Sequence, residues 1–319
     1  MIRVAGRTTG IALVTSIKKI SVIIPTRNRA YSLAALLDSL GKAEKPDGVA
    51  IEILVVDNGS NDGTAAMLQE RTMLENRYPL RVLSQPVPGK ANALNLALAN
   101  CDGDLLAVFD DDVTVESGCL VQLEAAYWDC KFAAMQGRIL PGKDPEGRTV
   151  DQKRLRDYNI PLIDYGDEIR EIRGLTGTNM SFKRQVLDCV GFFDPRLGPG
   201  AAGFSEDTEF SMRVRKAGFK IGYTPHAVVY HELNPNRYGR AYNRQVEYRK
   251  GLSRSVYRRD SIVFNVGPNL FANSVRLVIY RCLGKADKAY KAEGRLYKGL
   301  GYIAGKLHRV STARTPDGN

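Results

Sequence analysis

The 319-residue sequence is defined first by what it lacks. Its five cysteines, Cys101, Cys119, Cys130, Cys189 and Cys282, are odd in number, scattered, and never spaced Cys-x-x-Cys. That argues against a zinc site and a disulfide framework, and a reducing cytoplasm is the simpler setting. No run of 18 or more apolar residues occurs, so no membrane span is expected. Arg3 and Arg7 precede a short apolar stretch at Ile11–Val14, but Lys18 and Lys19 follow with no small-residue cleavage site, so residues 1–20 read as a loose extension rather than a leader. There is no internal repeat, no low-complexity tract, and no helix-turn-helix, RNA-recognition or zinc signature, so nucleic acid is not an expected partner.

What is present is ordinary globular material, 44% hydrophobic and 25% charged, with ample side chains for a core. The net charge of +11 is unevenly spread. Residues 237–319 carry 18 Lys and Arg against 5 Asp and Glu, a net of +13, and the first 236 residues carry −2. The division predicts an extension over 1–20, a catalytic domain over 21–236 and a basic, mainly helical region over 237–319. A basic tail suits nucleic acid, an anionic membrane surface, or simply a solvated helix face.

Along the chain, strand and helix patterns alternate. Ser21–Ile24 is a β-rich run stopped at Pro25, and Leu33, Leu36, Leu37 and Leu40 then recur at helical spacing. Ile51–Val56 is a second strand, followed by the polar turn Asp57–Gly63 and a helix over Thr64–Leu74. Arg81–Ser84 is a third strand, Pro88-Gly89-Lys90 opens a helix through Ala99, and Leu105–Phe109 ends at Asp110-Asp111-Asp112. Such alternation predicts an α/β fold with a parallel sheet between helices, and ligands in such sheets bind beyond the carboxyl ends of the strands, where all these polar loops fall. A helix over Leu120–Trp128 and a strand over Ala133–Ile139 follow. Residues 141–173 show no clear pattern. Further helices are expected at Glu206–Ala217, Asn269–Leu283 and Ala286–Leu307.

Five features can carry chemistry, each with a plainer alternative. Asp110, Asp111 and Asp112 repel one another at a strand end, a conflict that a hard divalent cation removes; the alternative is an acidic helix cap. Ser205-Glu206-Asp207 follows the Gly-rich loop Gly198–Gly203, as a mobile loop delivering a base would, or Ser205 simply caps a helix. Asp57 can accept hydrogen bonds from a base or ribose, or close an Asx turn. Lys90 at a helix start can meet an anion, or be a solvated lysine. His231 ends an apolar run and is a metal ligand if carboxylates are near, or structural.

The order of these motifs is more specific than any one of them. Ser-Val-Ile-Ile-Pro-Thr-Arg-Asn-Arg (21–29), Val-Val-Asp-Asn-Gly-Ser-Asn-Asp-Gly-Thr (55–64), Pro-Gly-Lys-Ala-Asn-Ala-Leu-Asn (88–95), Phe-Asp-Asp-Asp (109–112), Gly-Thr-Asn-Met-Ser-Phe (177–182), Phe-Asp-Pro-Arg-Leu-Gly (193–198), Ser-Glu-Asp-Thr-Glu-Phe (205–210) and Val-Val-Tyr-His (228–231) occur in sequence. Over residues 20–233 this resembles the family 2 glycosyltransferases. The resemblance implies a GT-A type, Rossmann-like, mostly parallel sheet flanked by helices, to which the basic helical C-terminal region is added. It implies an inverting transfer from a nucleoside-diphosphate sugar, with Mn²⁺ or Mg²⁺, to a saccharide or lipid-linked acceptor hydroxyl. Pro25, Thr26 and Arg27 would line the nucleobase pocket and Asp57 would bind base or ribose. Asp110 and Asp112 would be the metal-binding acid pair, with Asp111 between them departing from the small residue often found there. Lys90 would meet the donor, His231 would be a metal or pyrophosphate contact, and Asp207 would be the general base with Glu206 beside it.

Two rival readings compete with this one. A nucleotidyltransferase or sugar-phosphate transferase usually needs a Gly-rich phosphate loop near the N-terminus, and Pro25–Arg29 has no glycine. A nucleic-acid-binding protein would rest on the Arg and Tyr interleaved over 237–259. The basic tail, with apolar residues such as Phe271 and Val275 beside Arg281, also suits peripheral attachment at the inner face of the plasma membrane, or packing on the catalytic domain.

Overall fold

A computed structural model describes residues 16–74, 77–128, 131–143, 155 and 158–312, with side chains described to residue 308. Residues 1–15 of the expected extension, Cys130, and most of the unassigned 141–157 stretch lie outside the described residues.

The first half follows the alternation read from the sequence. Strand β1 (Lys19–Thr26) leads to helix α1 (Ala30–Lys42), β2 (Ala50–Asp57) to α2 (Thr64–Met73), β3 (Leu80–Ser84) to α3 (Lys90–Ala99), and β4 (Leu105–Phe109) follows. These four strands lie parallel in the order β3-β2-β1-β4. The strands have near-continuous apolar runs because both faces of the sheet are covered. Ile20, Val22 and Ile24 of β1 pack on one side with Leu33, Leu36 and Leu40 of α1, and Ile23 packs on the other with Leu94 and Leu98 of α3. The period of two along the strand thus divides one β-run between two cores.

Beyond β4 the sheet is mixed. It continues β4-β8-β6-β9-β5, built from β5 (Val113–Val115), β6 (Ala134–Pro141), β8 (Asn179–Lys183) and β9 (Ile221–His231), with β7 (Arg170–Ile172) paired to β9. The pairs β4–β8, β6–β8, β5–β9 and β7–β9 are antiparallel and only β6–β9 is parallel. Three-residue strands such as β5 and β7 carry too little periodicity to be read from sequence. Helix α4 (Cys119–Ala125) is shorter than expected, and α5 (Arg184–Val190) and α6 (Glu206–Lys216) cover the second core through Phe182, Phe193 and Phe210.

Three helices close the chain: α7 (Arg240–Tyr257), α8 (Gly267–Cys282) and α9 (Ala286–Thr312). Helices α7 and α9 touch backbone to backbone. A Cβ on Gly301 would lie 2.0 Å from the Tyr248 carbonyl oxygen, and one on Gly251 would lie 2.1 Å from that of Lys298. Only glycine permits that approach. A wide π turn over Ile262–Val266 joins α8, and Ile262–Cys282 together form a helical stretch of 21 residues, long and apolar enough to cross a bilayer and barely buried. Its asparagines and Arg276 interrupt any strict apolar run, which hid it in the sequence.

Candidate active site

The sheet's register builds the site. Strand β4 delivers Asp110, Asp111 and Asp112 at its carboxyl end, beside Thr26 at the end of β1. Thr26 Oγ1 donates to Asp111 Oδ2 at 2.7 Å. Pairing of Phe109 with Asn179 sets Thr178 next to Asp110, and its hydroxyl donates to Asp110 Oδ2 at 2.8 Å. Pairing of Val113 with His231 brings the imidazole to Asp112, with Nε2 3.4 Å from Oδ1. The loop before β8 joins these acids to α6, because the Gly177 N–H donates to Asp207 Oδ2 at 3.2 Å. Residues from positions 26 to 231 thereby share one surface.

Lys90 opens α3 as expected, but its ammonium is turned inward. It is paired with Asp110 and lies 3.6 Å from Glu206 Oε1. Burial alone would lower the lysine's pKa; the carboxylates of Asp110 and Glu206 override it and hold the ammonium charged well above its usual range. In return Lys90 keeps Asp110 below the usual carboxylate value despite its burial. The Gly-rich loop closes over this pair. The Lys90 N–H donates to the Pro199 carbonyl at 2.9 Å, and Gly200, at φ +88°, sits where a Cβ would come within 2.8 Å of Gly89.

The two acids that open α6 differ. Glu206 is buried, and burial, with the charge of Asp207 adding to it, raises its pKa to about 7 despite Lys90. Asp207 is half-buried, and its second oxygen, Oδ1, accepts the Thr208 N–H at 2.6 Å. Ser205 does not cap the helix. It is left-handed at φ +76° and makes no side-chain cap bond, so the capping alternative fails and the backbone there is strained. Burial and the adjacent Asp112 likewise raise Asp111 to about 7.

Two cations that the sequence reading missed complete the cluster. Arg237 Nη2 lies 2.9 Å from Asp112 Oδ2, and Arg29 Nη2 lies 3.8 Å from the same oxygen. Arg29 ends the first motif without a role read from it and Arg237 lies outside the motifs, and both reach Asp112 only through tertiary folding. Asp57 closes an Asx turn through the Ser60 N–H at 3.0 Å, Pro25 is buried, and Arg27 is exposed. These three stand at the same end of the sheet as the acids.

Among the described residues no three His, Cys, Asp or Glu side chains converge on one metal position. The donor set nevertheless fits a divalent ion. His231 Nδ1 faces the Glu232 carbonyl oxygen at 2.8 Å, which requires a proton on Nδ1. Nε2 faces an Asp112 oxygen, where a proton or a cation can bridge the two. A ring held by a backbone carbonyl is the usual support of a metal-binding histidine. Two protein ligands leave the remaining positions to phosphate oxygens and water.

Proteins of known structure share this fold. The mannosyltransferase PcManGT from Pyrobaculum calidifontis, in complex with GDP-Man and Mn²⁺, aligns with a TM-score of 0.52 at 20% identity, over 93% of this chain and 76% of that one. GalNAc-T7 with UDP, GalNAc and Mn²⁺ aligns with a TM-score of 0.56 at 18% identity, over 75% of this chain and 50% of that one. Among curated sequences, the probable glycosyltransferase YdaM of Bacillus subtilis is 26% identical over 67% of this chain and 50% of its own length. The beta-monoglucosyldiacylglycerol synthase of Synechocystis is 26% identical over 67% of this chain and 44% of its own. The chain spans about half the length of the curated relatives it matches. The family model for "Glycosyl transferase family 2" matches residues 21–191, more than half of the sequence. With the GT-A type sheet and the motif order both in place, the chain belongs to glycosyl transferase family 2.

Proposed function

We propose that the protein transfers a sugar from a nucleoside-diphosphate sugar to a hydroxyl of a saccharide or lipid-linked acceptor, with inversion at the anomeric carbon. The observation that carries this reading is the gathering of Asp110–Asp112, His231 and Asp207 around one face at the carboxyl end of the sheet. That is where such sheets bind nucleotides. Neighbours of the same fold hold GDP-Man with Mn²⁺ and UDP with Mn²⁺, which supports a nucleotide donor here without selecting one.

In this reading Asp112 and His231 hold Mn²⁺ or Mg²⁺, which when bound neutralises charge on the departing diphosphate. Asp110 stays ionised through Lys90 and Thr178 and adds to the donor site. Arg237 and Arg29 supply fixed positive charge beside it. Pro25, Thr26, Arg27 and Asp57 face the nucleoside. Asp207, half-buried and fixed by the Gly177 and Thr208 N–H groups, takes the proton of the attacking hydroxyl. Glu206, buried against Lys90, positions rather than reacts. A base on the acceptor side with no enzyme nucleophile gives a single displacement.

The test is a donor screen that follows nucleoside-diphosphate release with several nucleotide sugars, with and without candidate acceptors, and with product configuration read by NMR. Metal-dependent release and an inverted product are expected. Undiminished release in excess chelator removes the metal, and a retained configuration removes Asp207 as the base.

A further inference from the structure

The π turn and α8 carry large apolar side chains that the protein leaves uncovered. Phe264 is 82% exposed and Phe271 74%, with Val263, Val275, Val278 and Leu283 also facing out. Phe271, Val275 and Val278 follow at spacings of four and three, so they form one stripe along the helix. The opposite side is engaged. Asn273 is buried, and Leu270 packs where a side chain on Gly299 of α9 would be. Helix α8 is therefore held flat against the protein by one face and presents an oily stripe on the other.

Charge selects what covers that stripe. Between Asp260 and Asp287 the sequence has Arg276, Arg281 and Lys285 and no carboxylate. Arg281 pairs with Glu293 of α9, while Arg276 has no acidic partner among the described residues. A second copy docked by this same face would set arginine against arginine with no acid to meet it. An anionic lipid surface meets both the stripe and its cationic border. Contact with α9 along its length keeps α8 from crossing a bilayer alone, despite sufficient length, and α9 carries Lys288, Lys291, Arg295 and Lys298.

We propose that Ile262–Leu283 lies in the interface of an anionic membrane, apolar stripe inward, and seats the protein there. The segment follows α7, whose Ser253 Oγ accepts from the Phe204 N–H just before α6 at 3.0 Å. Seating by α8 therefore holds the Asp207 end of the site close to the lipid surface, where a lipid-linked acceptor hydroxyl would be presented. Membrane binding itself does not depend on that reading and is measured without turnover.

The experiment is sedimentation of the full chain with phosphatidylcholine vesicles, with and without phosphatidylglycerol, at low salt. The chain should pellet with the anionic vesicles and little with the neutral ones. Phe264→Ser with Phe271→Ser should weaken binding about 10²-fold, from the lost burial of two phenyl groups. Arg276→Gln should weaken it about fivefold on anionic vesicles only. Both changes are at exposed positions, so an unchanged thermal midpoint identifies folded variants. Three results overturn the proposal: wild-type chain left in the supernatant with both lipids, variants that pellet like wild type, or a wild-type dimer that the double phenylalanine change converts to monomer.

Discussion

In the sheet domain Phe109, Phe182, Phe193 and Phe210 are all essentially inaccessible. The C-terminal helices bury Tyr290 and Tyr302 but are built differently. Glycines make the closest helix contacts, Gly251 and Gly301 against backbone, while Phe264 and Phe271 face out. The charge divides in the same way, −2 before residue 237 and +13 after it. The difference separates two tasks. The sheet gathers acids and cations in one cluster, and the helices form a layer with an exposed apolar stripe. The two are not independent, because α7 braces the Gly-rich loop: Ser253 Oγ accepts from the Phe204 N–H and donates to the Ala202 carbonyl, both at 3.0 Å.

The largest effect expected lies in the sheet domain. Asp207→Asn keeps the shape and removes the proposed base, so turnover should fall by about 10²-fold or more with donor affinity little changed. Near-normal turnover would reassign the base and dissolve the contrast drawn between Asp207 and Glu206.

The next effect tests the helical layer. Gly301→Ala forces a methyl against the Tyr248 carbonyl, and separating α7 from α9 should cost about 1–3 kcal/mol, read as a midpoint lowered by a few degrees. An unchanged midpoint would show that the layer is not held by glycine contacts.

A smaller, pH-dependent effect sharpens the account of Glu206. Its pKa is about 7 in the fold against an ordinary 4.5, so its contribution to stability is full below about 4.5 and is lost as pH rises through about 7. Glutamine does not titrate. The midpoint of Glu206→Gln minus that of wild type should therefore increase between pH 5 and pH 8. A difference independent of pH would mean that the buried acid is not strained by its charge.

The smallest structural effect is expected at Asp57. Asn closes the same Asx turn, so Asp57→Asn should leave the thermal midpoint unchanged and lower only donor affinity. If affinity is unchanged as well, Asp57 is a turn residue and nothing more.

The legible and illegible parts of the molecule differ for physical reasons. Strands β1, β2 and β4 and helices α1 and α3 were readable because local periodicity decides them, and so was the placement of Asp57 and Asp110–Asp112 at strand ends. The mixed half of the sheet was not, because β5 and β7 are three residues long and their partners are distant in sequence. Ser205 resembled a helix cap by residue type, yet its left-handed backbone removes it from that role. Arg29 stands in the first motif and Arg237 in none, and only the fold brings them to Asp112. The glycines of α9, unfavourable in an isolated helix, serve as contact points in three dimensions. The exposed α8 stripe was partly visible as basic and apolar residues side by side, but which face is covered depends on α9.

The central claim is that Asp112 and His231 form half of a metal and diphosphate site completed by the donor. Calorimetric titration of UDP and of GDP, each with Mn²⁺ and with chelator, tests it without knowledge of the acceptor. At least one nucleotide should bind with Mn²⁺ and lose most of its affinity in chelator, and Asp112→Asn should abolish the difference. Equal affinity with Mn²⁺ and with chelator, or an Asp112→Asn protein that keeps the full Mn²⁺ dependence, would contradict the account.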